Sequence, residues 1–395
     1  MTSAFLMKTL QNGGSILNSD TTGTVHQGKI VAEYRRRRKW SRATLARVIG
    51  VDESTVYRME QMSVIKNPTR RKLLVGILGI PVELLGLEAE QHTYTIPFLF
   101  NEDRIAFFEE ETAIRWEMYR TGGTTRASRG FGVWLQEVEA FTQAAQGGVW
   151  HQRAYTSLCM SYQLQGSISA DVTQYDQAHR AYYKAYQIAK ELDDAELIAA
   201  TLARQGVTSI QQNRPLEAID SLIGALTLIH GRGFSCLRGY SLKALSEAHA
   251  MVQHAYESKR YIELAERTLD YQEEVPERSH CQLNKTSVLA QKGINAVLLH
   301  DYDRAVALID KSLLTYNHTY VRGRARLIAQ QAEAYFGLGL IDMCCLTAEQ
   351  ALVLAHSVGS GKTIGRVEQL HAALLKSRWR KEVSVARLGG LLTRN

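Results

Sequence analysis

Between residues 27 and 87, apolar positions recur at the spacing of helices and are interrupted by short polar turns. Leu45 is predicted to face inward in one helix, and Val56 and Met59 form an inward pair three residues apart in the next. Gly50 stands between these helices, where the end of a helix needs a residue that tolerates a positive φ. The pattern predicts a compact unit of five short helices, in which the second and third form a helix-turn-helix.

The outer face of the third predicted helix is polar. Ser41 and Asp52 precede the second and third helices as N-caps, because their side-chain oxygens can accept hydrogen bonds from free backbone N–H groups. The exposed face suits the major groove of DNA, where side chains reach base edges. The candidates for contacts with base edges or the adjacent backbone are Glu53, Ser54, Thr55, Tyr57 and Arg58. The candidates for phosphate contacts are Ser41, Arg42, Arg47 and Lys66.

The positive charge of the chain is concentrated in the same region. From Gln27 to Ile80, thirteen Lys or Arg stand against four Asp or Glu, a balance of +9, whereas the whole chain carries +7. Such a field fits phosphate binding with an affinity that falls steeply as salt rises. The run from Arg35 to Lys39 is the densest part, and Arg36 and Arg38 within it are further candidate DNA contacts. The alternative for this run is a solvated helix face.

These residues resemble the helix-turn-helix of the XRE/Cro-repressor family. In that family an Arg near the end of the first helix pairs with a Glu that closes the third, and Arg35 and Glu60 occupy those positions here. The run from Leu73 to Leu85 resembles the family's fourth and fifth helices. Arg42 stands where the family often has Gln, and Lys39 where it usually has Gly, so the family's base preference does not transfer. The alternative is a helical hairpin whose match is fortuitous.

From residue 131 to 376, small residues recur at a fixed spacing. Four sets share offsets of twelve and seven positions, and an earlier pair fits the last two positions of a fifth. These are Gly206, Ala218 and Ala225; Ser246, Ser258 and Ala265; Gly293, Ala305 and Ser312; Ala332, Cys344 and Ala351; and the pair Ala178 and Ala185. Small residues let two antiparallel helices approach closely, which predicts a solenoid of stacked helical pairs. The spacing is similar to tetratricopeptide repeats, although each repeat is longer than usual in that family.

The repeat alignment also predicts which polar side chains face the concave side of the solenoid. These candidates for ligand binding are Gln211, Tyr240, Lys243, Glu247, Ser287, Arg326 and Glu333. For each of these residues the alternative is that the side chain is polar only because the concave wall is exposed to solvent.

The remaining segments complete an all-α organisation. Residues 1–26 are predicted to form a flexible arm, followed by the helix-turn-helix domain over 27–87. A linker and a connecting helix, which runs from about Glu102 to Arg120, occupy 88–130. The repeats follow over 131–376, and residues 377–395 form a basic tail or a capping helix.

No catalytic, metal or cofactor site is predicted, so the protein is not expected to be an enzyme. The run Gly359–Thr363 lacks the first glycine of a phosphate-binding loop and is interpreted as an interhelical loop. The histidines and five cysteines show no metal-ligand spacing, and reduced thiols are the simplest interpretation. Because there is no signal sequence and no apolar run of membrane-spanning length, a cytoplasmic location without membrane contact is expected.

The order of a basic helix-turn-helix followed by helical repeats resembles the peptide-pheromone-responsive regulators of the Rap, Rgg and PlcR group. The resemblance implies a quorum-sensing transcription regulator that binds a roughly palindromic site in double-stranded DNA as a homodimer and senses a short peptide through its repeats. The group's ligand-clamping asparagines have no clear match, since Asn213 and Asn317 fall near turns and Asn295 is out of register. The alternatives are a scaffold for a partner protein that uses DNA binding only for localisation, and a switch that regulates an enzyme.

Overall fold

A computed structural model describes residues 26–87, 102–271 and 278–393, and every secondary-structure element among them is helical. The predicted all-α class is therefore confirmed. The predicted N-terminal arm, apart from His26, and the first part of the linker lie outside the described residues.

The first described residues form a group of short helices. They are α1 (Gln27–Arg37), α2 (Arg42–Ile49), α3 (Glu53–Gln61), α4 (Pro68–Leu78) and a 3-10 helix (Val82–Leu85). The fifth predicted helix is thus a short 3-10 helix.

Longer helices follow. They are α5 (Glu102–Ser128), α6 (Phe131–Ala145), α7 (His151–Asp171), α8 (Tyr175–Glu191), α9 (Ala195–Gln211), α10 (Pro215–Leu228), α11 (Ser235–Met251), α12 (Ala255–Arg267), a 3-10 helix (Thr268–Asp270), α13 (Lys285–Leu298), α14 (Tyr302–Thr315), α15 (Val321–Gly337), α16 (Ile341–Val358), α17 (Gly361–Lys376) and α18 (Val383–Leu392).

The chain divides into two compact units. The first contains the described residues up to Ile105 together with Gln143–His151. The second contains Ala106–Thr142 and the described residues from Gln152 onward.

The caps of α2 and α3 are those that the sequence predicts. The Ser41 Oγ accepts a hydrogen bond from the backbone N–H of Thr44 at 2.9 Å, and the Asp52 Oδ1 accepts one from that of Thr55 at 2.7 Å. Gly50 ends α2 with a φ of 66°, in the left-handed region that favours glycine. Local capping therefore fixes the turn between the two helices.

The core of the helix-turn-helix is closed by buried apolar side chains and one ion-pair cluster. Leu45, Val56 and Met59 are all buried, as predicted. The Glu60 carboxylate is 2% exposed and accepts from Arg35 Nε at 2.6 Å and from Arg42 Nε at 2.7 Å. The pair that the family resemblance implied is present, and a second arginine shares its carboxylate.

The small residues of the repeats are buried where paired helices cross. All members of the four predicted sets are buried, together with Ala178 and Ala185. A Cβ on Gly206 would lie 2.7 Å from Leu222 Cγ, and one on Gly293 would lie 2.7 Å from Ile309 Cγ1. These distances leave no room for a larger side chain, so the small residues set the contact between α9 and α10 and between α13 and α14.

Helix α5 continues beyond the point where the sequence predicts its end. The helix was expected to stop near Arg120, but helical turns extend to Ser128 with a kink at Gly123, where φ is 69°. A Cβ on Gly123 would lie 2.4 Å from Val358 Cβ, at the end of α16. Glycine is therefore required there for a close contact, and the chain resumes helical geometry immediately afterwards.

Asp171, the last residue of α7, connects distant parts of the second unit. Its fully buried carboxylate accepts from the hydroxyls of Thr124 in α5 and Ser360 before α17, and pairs with Lys362 Nζ at 3.1 Å. Burial opposes ionisation, but the charges of Lys362 and Arg322 outweigh it and hold the pKa of Asp171 below its usual value. Asp171 thus joins α5 and α7 to the start of α17.

We expect replacement of Glu60 by Gln to destabilise the first unit by about 3–5 kcal/mol, because it leaves buried arginine charge without its partner. Hydrogen exchange of the peptides over 27–87 in the intact chain measures this loss. Burial raises the pKa of Glu60, yet the hydrogen bonds and charges of Arg35 and Arg42 lower it overall. The stabilisation is therefore complete above the unfolded pKa of about 4.3 and is lost as pH falls through the folded value.

Glu33→Gln is the matched control for this prediction. Glu33 pairs with Arg37 at 3.1 Å, and both side chains are largely exposed. The control should change stability by no more than about 1 kcal/mol. Equal protection of the two variants would contradict the assigned role of Glu60.

Candidate functional site

The exposed face of α3 carries the predicted DNA contacts. Glu53, Tyr57 and Arg58 are exposed, and the Tyr57 ring is 52% exposed. Val56 and Met59, on the opposite side of the same helix, are buried in the core. The helix therefore presents a polar face to solvent while its inner face is fixed by packing.

Asp52 organises the first turn of α3. Its carboxylate accepts from the hydroxyls of Ser54 at 2.5 Å and Thr55 at 2.8 Å, and these hydrogen bonds lower its pKa to about 2. Arg58 Nη2 donates to Thr55 Oγ1 at 3.2 Å. Ser54, Thr55 and Arg58 thus form one hydrogen-bonded chain along the exposed face.

Arg42 links this face to the core. Its guanidinium binds Glu60 and lies over the ring of Tyr57, 5.1 Å from the ring centroid. Because its Nε is committed to Glu60, Arg42 positions Tyr57 and offers its remaining N–H groups outward.

The other predicted phosphate contacts are exposed and lie on neighbouring segments of the same unit. They are Ser41, Arg47 and Lys66, with Arg36 and Arg38 at the end of α1. The Arg38 guanidinium lies 5.6 Å from the Trp40 ring centroid. Their contact with DNA stays a prediction.

The second unit contains a cavity of about 450 Å³. This volume lies in the range of small-ligand pockets, about 300–1,000 Å³. Six cationic side chains line it, and none of the described residues that line it is Asp or Glu. The six are Arg120, Arg204, Lys243, Arg322, Arg326 and Lys362. Six aromatic side chains also line the cavity, namely Trp116, Tyr119, Tyr182, Tyr240, Tyr316 and Tyr320.

The repeat alignment places most of the predicted ligand-binding residues on this wall. Five of the seven line the cavity, namely Gln211, Tyr240, Lys243, Ser287 and Arg326. Glu247 instead binds Arg326 and accepts from Gln291 Nε2 at 3.0 Å. Glu333 pairs with Arg366 Nε at 2.5 Å. Both carboxylates are therefore held by cations of the protein itself.

Several residues of the wall have no counterpart among the predicted positions. Trp116, Tyr119 and Arg120 come from α5, and Lys362 comes from α17. His280 comes from the segment before α13. These residues lie outside the aligned first helices of the repeats. The spacing of the small residues therefore could not predict that they line the cavity.

Burial changes the ionisation of two groups on the wall. Desolvation and the charge of Arg326 lower the pKa of Lys243 to about 8, although the charge of Glu247 acts in the opposite direction. Desolvation, with the charges of Arg204 and Arg120, lowers the pKa of His280 to about 3. His280 is thus neutral near pH 7, where its ring stacks on Trp116 with centroids 5.6 Å apart.

No model of a known protein family matches the chain, and no curated protein matches it. A similar solved structure is the crystal structure of Bacillus thuringiensis PlcR in complex with the peptide PapR7 and DNA. The identity is 12% and the TM-score 0.36, covering 89% of this chain and 100% of that chain. So low a similarity establishes no shared function.

Residues 26–87, 102–271 and 278–393 contain neither a membrane-spanning helix nor a group of metal ligands. No helix there is long and apolar enough to cross a membrane. No group of three or more His, Cys, Asp or Glu side chains in these ranges is arranged to hold a metal ion. No disulfide joins the five cysteines, all of which lie among the described residues, and burial raises the pKa of Cys344 to about 12.

Because its pKa is about 8, Lys243 should be acylated by an amine reagent at lower pH than an ordinary lysine, whose pKa is about 10.4. Mass spectrometry of the Lys243 peptide across a pH series, in the native and the denatured protein, measures the two midpoints. The native midpoint should lie about two pH units lower. Coincident midpoints would contradict the burial of this ammonium among other cations.

Proposed function

We propose that the protein is a sequence-specific DNA-binding transcription regulator whose repeat unit senses a short peptide. The observation that carries the proposal is the polar outer face of α3, which is fixed to the core by Glu60 in a unit that carries several exposed cations. A rigid polar helix within a positive field is the arrangement that reads base edges in a major groove.

The proposed DNA contacts fall into two groups with different roles. The cations at the end of α1 and around α2 would bind phosphates, which sets the register of the protein on the duplex without selecting a sequence. Arg58 and Tyr57 on α3 would face base edges, since both are exposed next to the ordered first turn. The guanidinium of Arg58 is suited to the two acceptors of guanine.

Binding to a roughly palindromic site requires two copies of the chain. In a homodimer the two α3 helices would lie about 34 Å apart, one turn of DNA. A ligand that favours one arrangement of the dimer would change this separation. It can shift the equilibrium only by the difference between its affinities for the two arrangements.

The cavity of the second unit is the proposed place for the peptide. Its wall offers amide and hydroxyl groups that can pair with a peptide backbone, among them Gln211, Asn284, Ser287 and Asn317. Aromatic rings between them offer apolar surface for side chains. Polar groups placed among apolar surface are typical of small-ligand sites.

Arg58→Ala should reduce specific binding by about 1–3 kcal/mol if the guanidinium pairs with a base, while binding to unrelated duplexes changes little. Fluorescence anisotropy with the duplex that the protein retains most tightly, and with a scrambled duplex, measures both. Arg38→Ala is the contrasting variant, since loss of a phosphate contact weakens binding to both duplexes and reduces the salt slope by about 1.

Arg304→Ala is the matched control, because Arg304 is an exposed arginine in the second unit. It should leave both affinities unchanged. If Arg58→Ala combined with Thr55→Ala also leaves specific binding unchanged, the proposed orientation of α3 on DNA is wrong.

A further inference from the structure

The cations that line the cavity are not all neutralised by the protein. Three of them have carboxylate partners, since Arg120 pairs with Glu117, Arg326 with Glu247 and Lys362 with Asp171. The other three, Arg204, Lys243 and Arg322, have no carboxylate within ion-pair distance among the residues that the structure describes. The wall therefore carries a surplus of three positive charges.

The close contacts of these three side chains are with neutral groups, although the charge of Asp171 acts on Arg322 and that of Glu247 on Lys243 from farther away. The Arg204 guanidinium donates to the carbonyl oxygen of Ser279 and lies 4.1 Å from the Trp116 ring centroid. The Arg322 guanidinium lies 3.6 Å from the ring centroid of Tyr119. The Lys243 ammonium lies 5.6 Å from the ring centroid of its neighbour Tyr240. Aromatic faces attract a cation but do not neutralise it.

Several buried polar atoms on the same wall also have no hydrogen-bond partner. They include the indole Nε1 of Trp116, whose side chain is only 2% exposed, and Nη1 of Arg322. Both are donors, and a buried donor without a partner costs free energy.

Helix ends add to the positive field. The first turns of α13, α15 and α17 contribute Ser287, Arg322 and Lys362 to the wall. Each helix start carries a partial positive charge, which favours an anion. The side chains of three helix starts and three cations without a close carboxylate therefore line one cavity.

We propose that this cavity selects an acidic peptide, one that carries at least two carboxylates into the space between Arg204, Lys243 and Arg322. The inference rests on the proposed peptide-sensing function and specifies the charge of the peptide. The ligand's carboxylates supply the counter-charge that the wall lacks. The positive wall repels a cationic peptide, and a neutral peptide leaves the three cations uncompensated.

The test uses the full-length protein and defined probes. One pool contains acetylated pentapeptides with two acidic residues and a free C-terminal carboxylate. A matched pool replaces the acids by Asn or Gln and amidates the C-terminus, a third replaces them by Lys, and ATP represents a phosphate ligand. Thermal shift detects binding, because a ligand of the folded state raises Tm, and calorimetry measures Kd for the peptides that bind.

The acidic pool should raise Tm, and the neutral and basic pools should not. Lys243→Met and Arg322→Met should each weaken the binding of an acidic peptide by about 10- to 100-fold, the effect of losing one charge-assisted hydrogen bond. Lys243→Arg and Arg322→Lys, which keep the charge, should retain most of the affinity. Lys259→Met, at an exposed lysine of α12, should change the affinity by less than about twofold.

Two results would overturn the inference in distinguishable ways. If the neutral pool binds as tightly as the acidic pool and the Met variants have no effect, the charge selection is wrong and peptide sensing stands. If ATP alone binds, and binding depends on Lys243 and Arg322, the assignment to a peptide fails together with the peptide half of the proposed function.

Discussion

The second unit depends on close contact between paired helices. At each crossing a small side chain such as Gly206, Gly293 or Ala332 lets one helix approach the backbone of the other, where a larger residue would meet its neighbours. Repetition of this contact stacks the pairs into a superhelix. Asp171 in α7 then joins the start of α17 to α5 through Lys362, Ser360 and Thr124. Lys362 and three residues of α5 complete a cavity wall whose other residues come from the segments between them.

The first unit depends on a buried ion-pair cluster, not on close contact between small residues. Glu60 closes α3, and its carboxylate holds arginines from α1 and α2, so three helices share one buried charge cluster. A cluster of this kind is costly to break and fixes the orientation of the helices more than it adds stability. The polar face of α3 is thereby presented in one orientation. In both units, buried contacts thus fix the positions of polar side chains. These side chains face solvent in the first unit and a cavity in the second.

The sequence predicted those features that depend on local chemistry. N-caps at Ser41 and Asp52, the turn at Gly50 and the small residues of the repeats all follow from spacing along the chain. The composition of the cavity wall could not be predicted in this way. Trp116 and Lys362 reach it from helices outside the aligned repeats, because the superhelix closes in three dimensions. Glu247 shares the register of Lys243, yet its carboxylate is taken up by Arg326, a pairing that requires the folded structure.

The central claim is that α3 recognises a DNA sequence, and selection from a random pool of duplexes tests it most directly. The purified full-length chain is incubated with the pool at an ionic strength of about 0.15 M, where weak surface electrostatics are screened, and retained duplexes are sequenced. An inverted repeat with half-sites about 10–10.5 base pairs apart, or a multiple of that spacing, is the expected result. Retained duplexes that have the same composition as the starting pool, with and without the acidic peptides, would contradict the account.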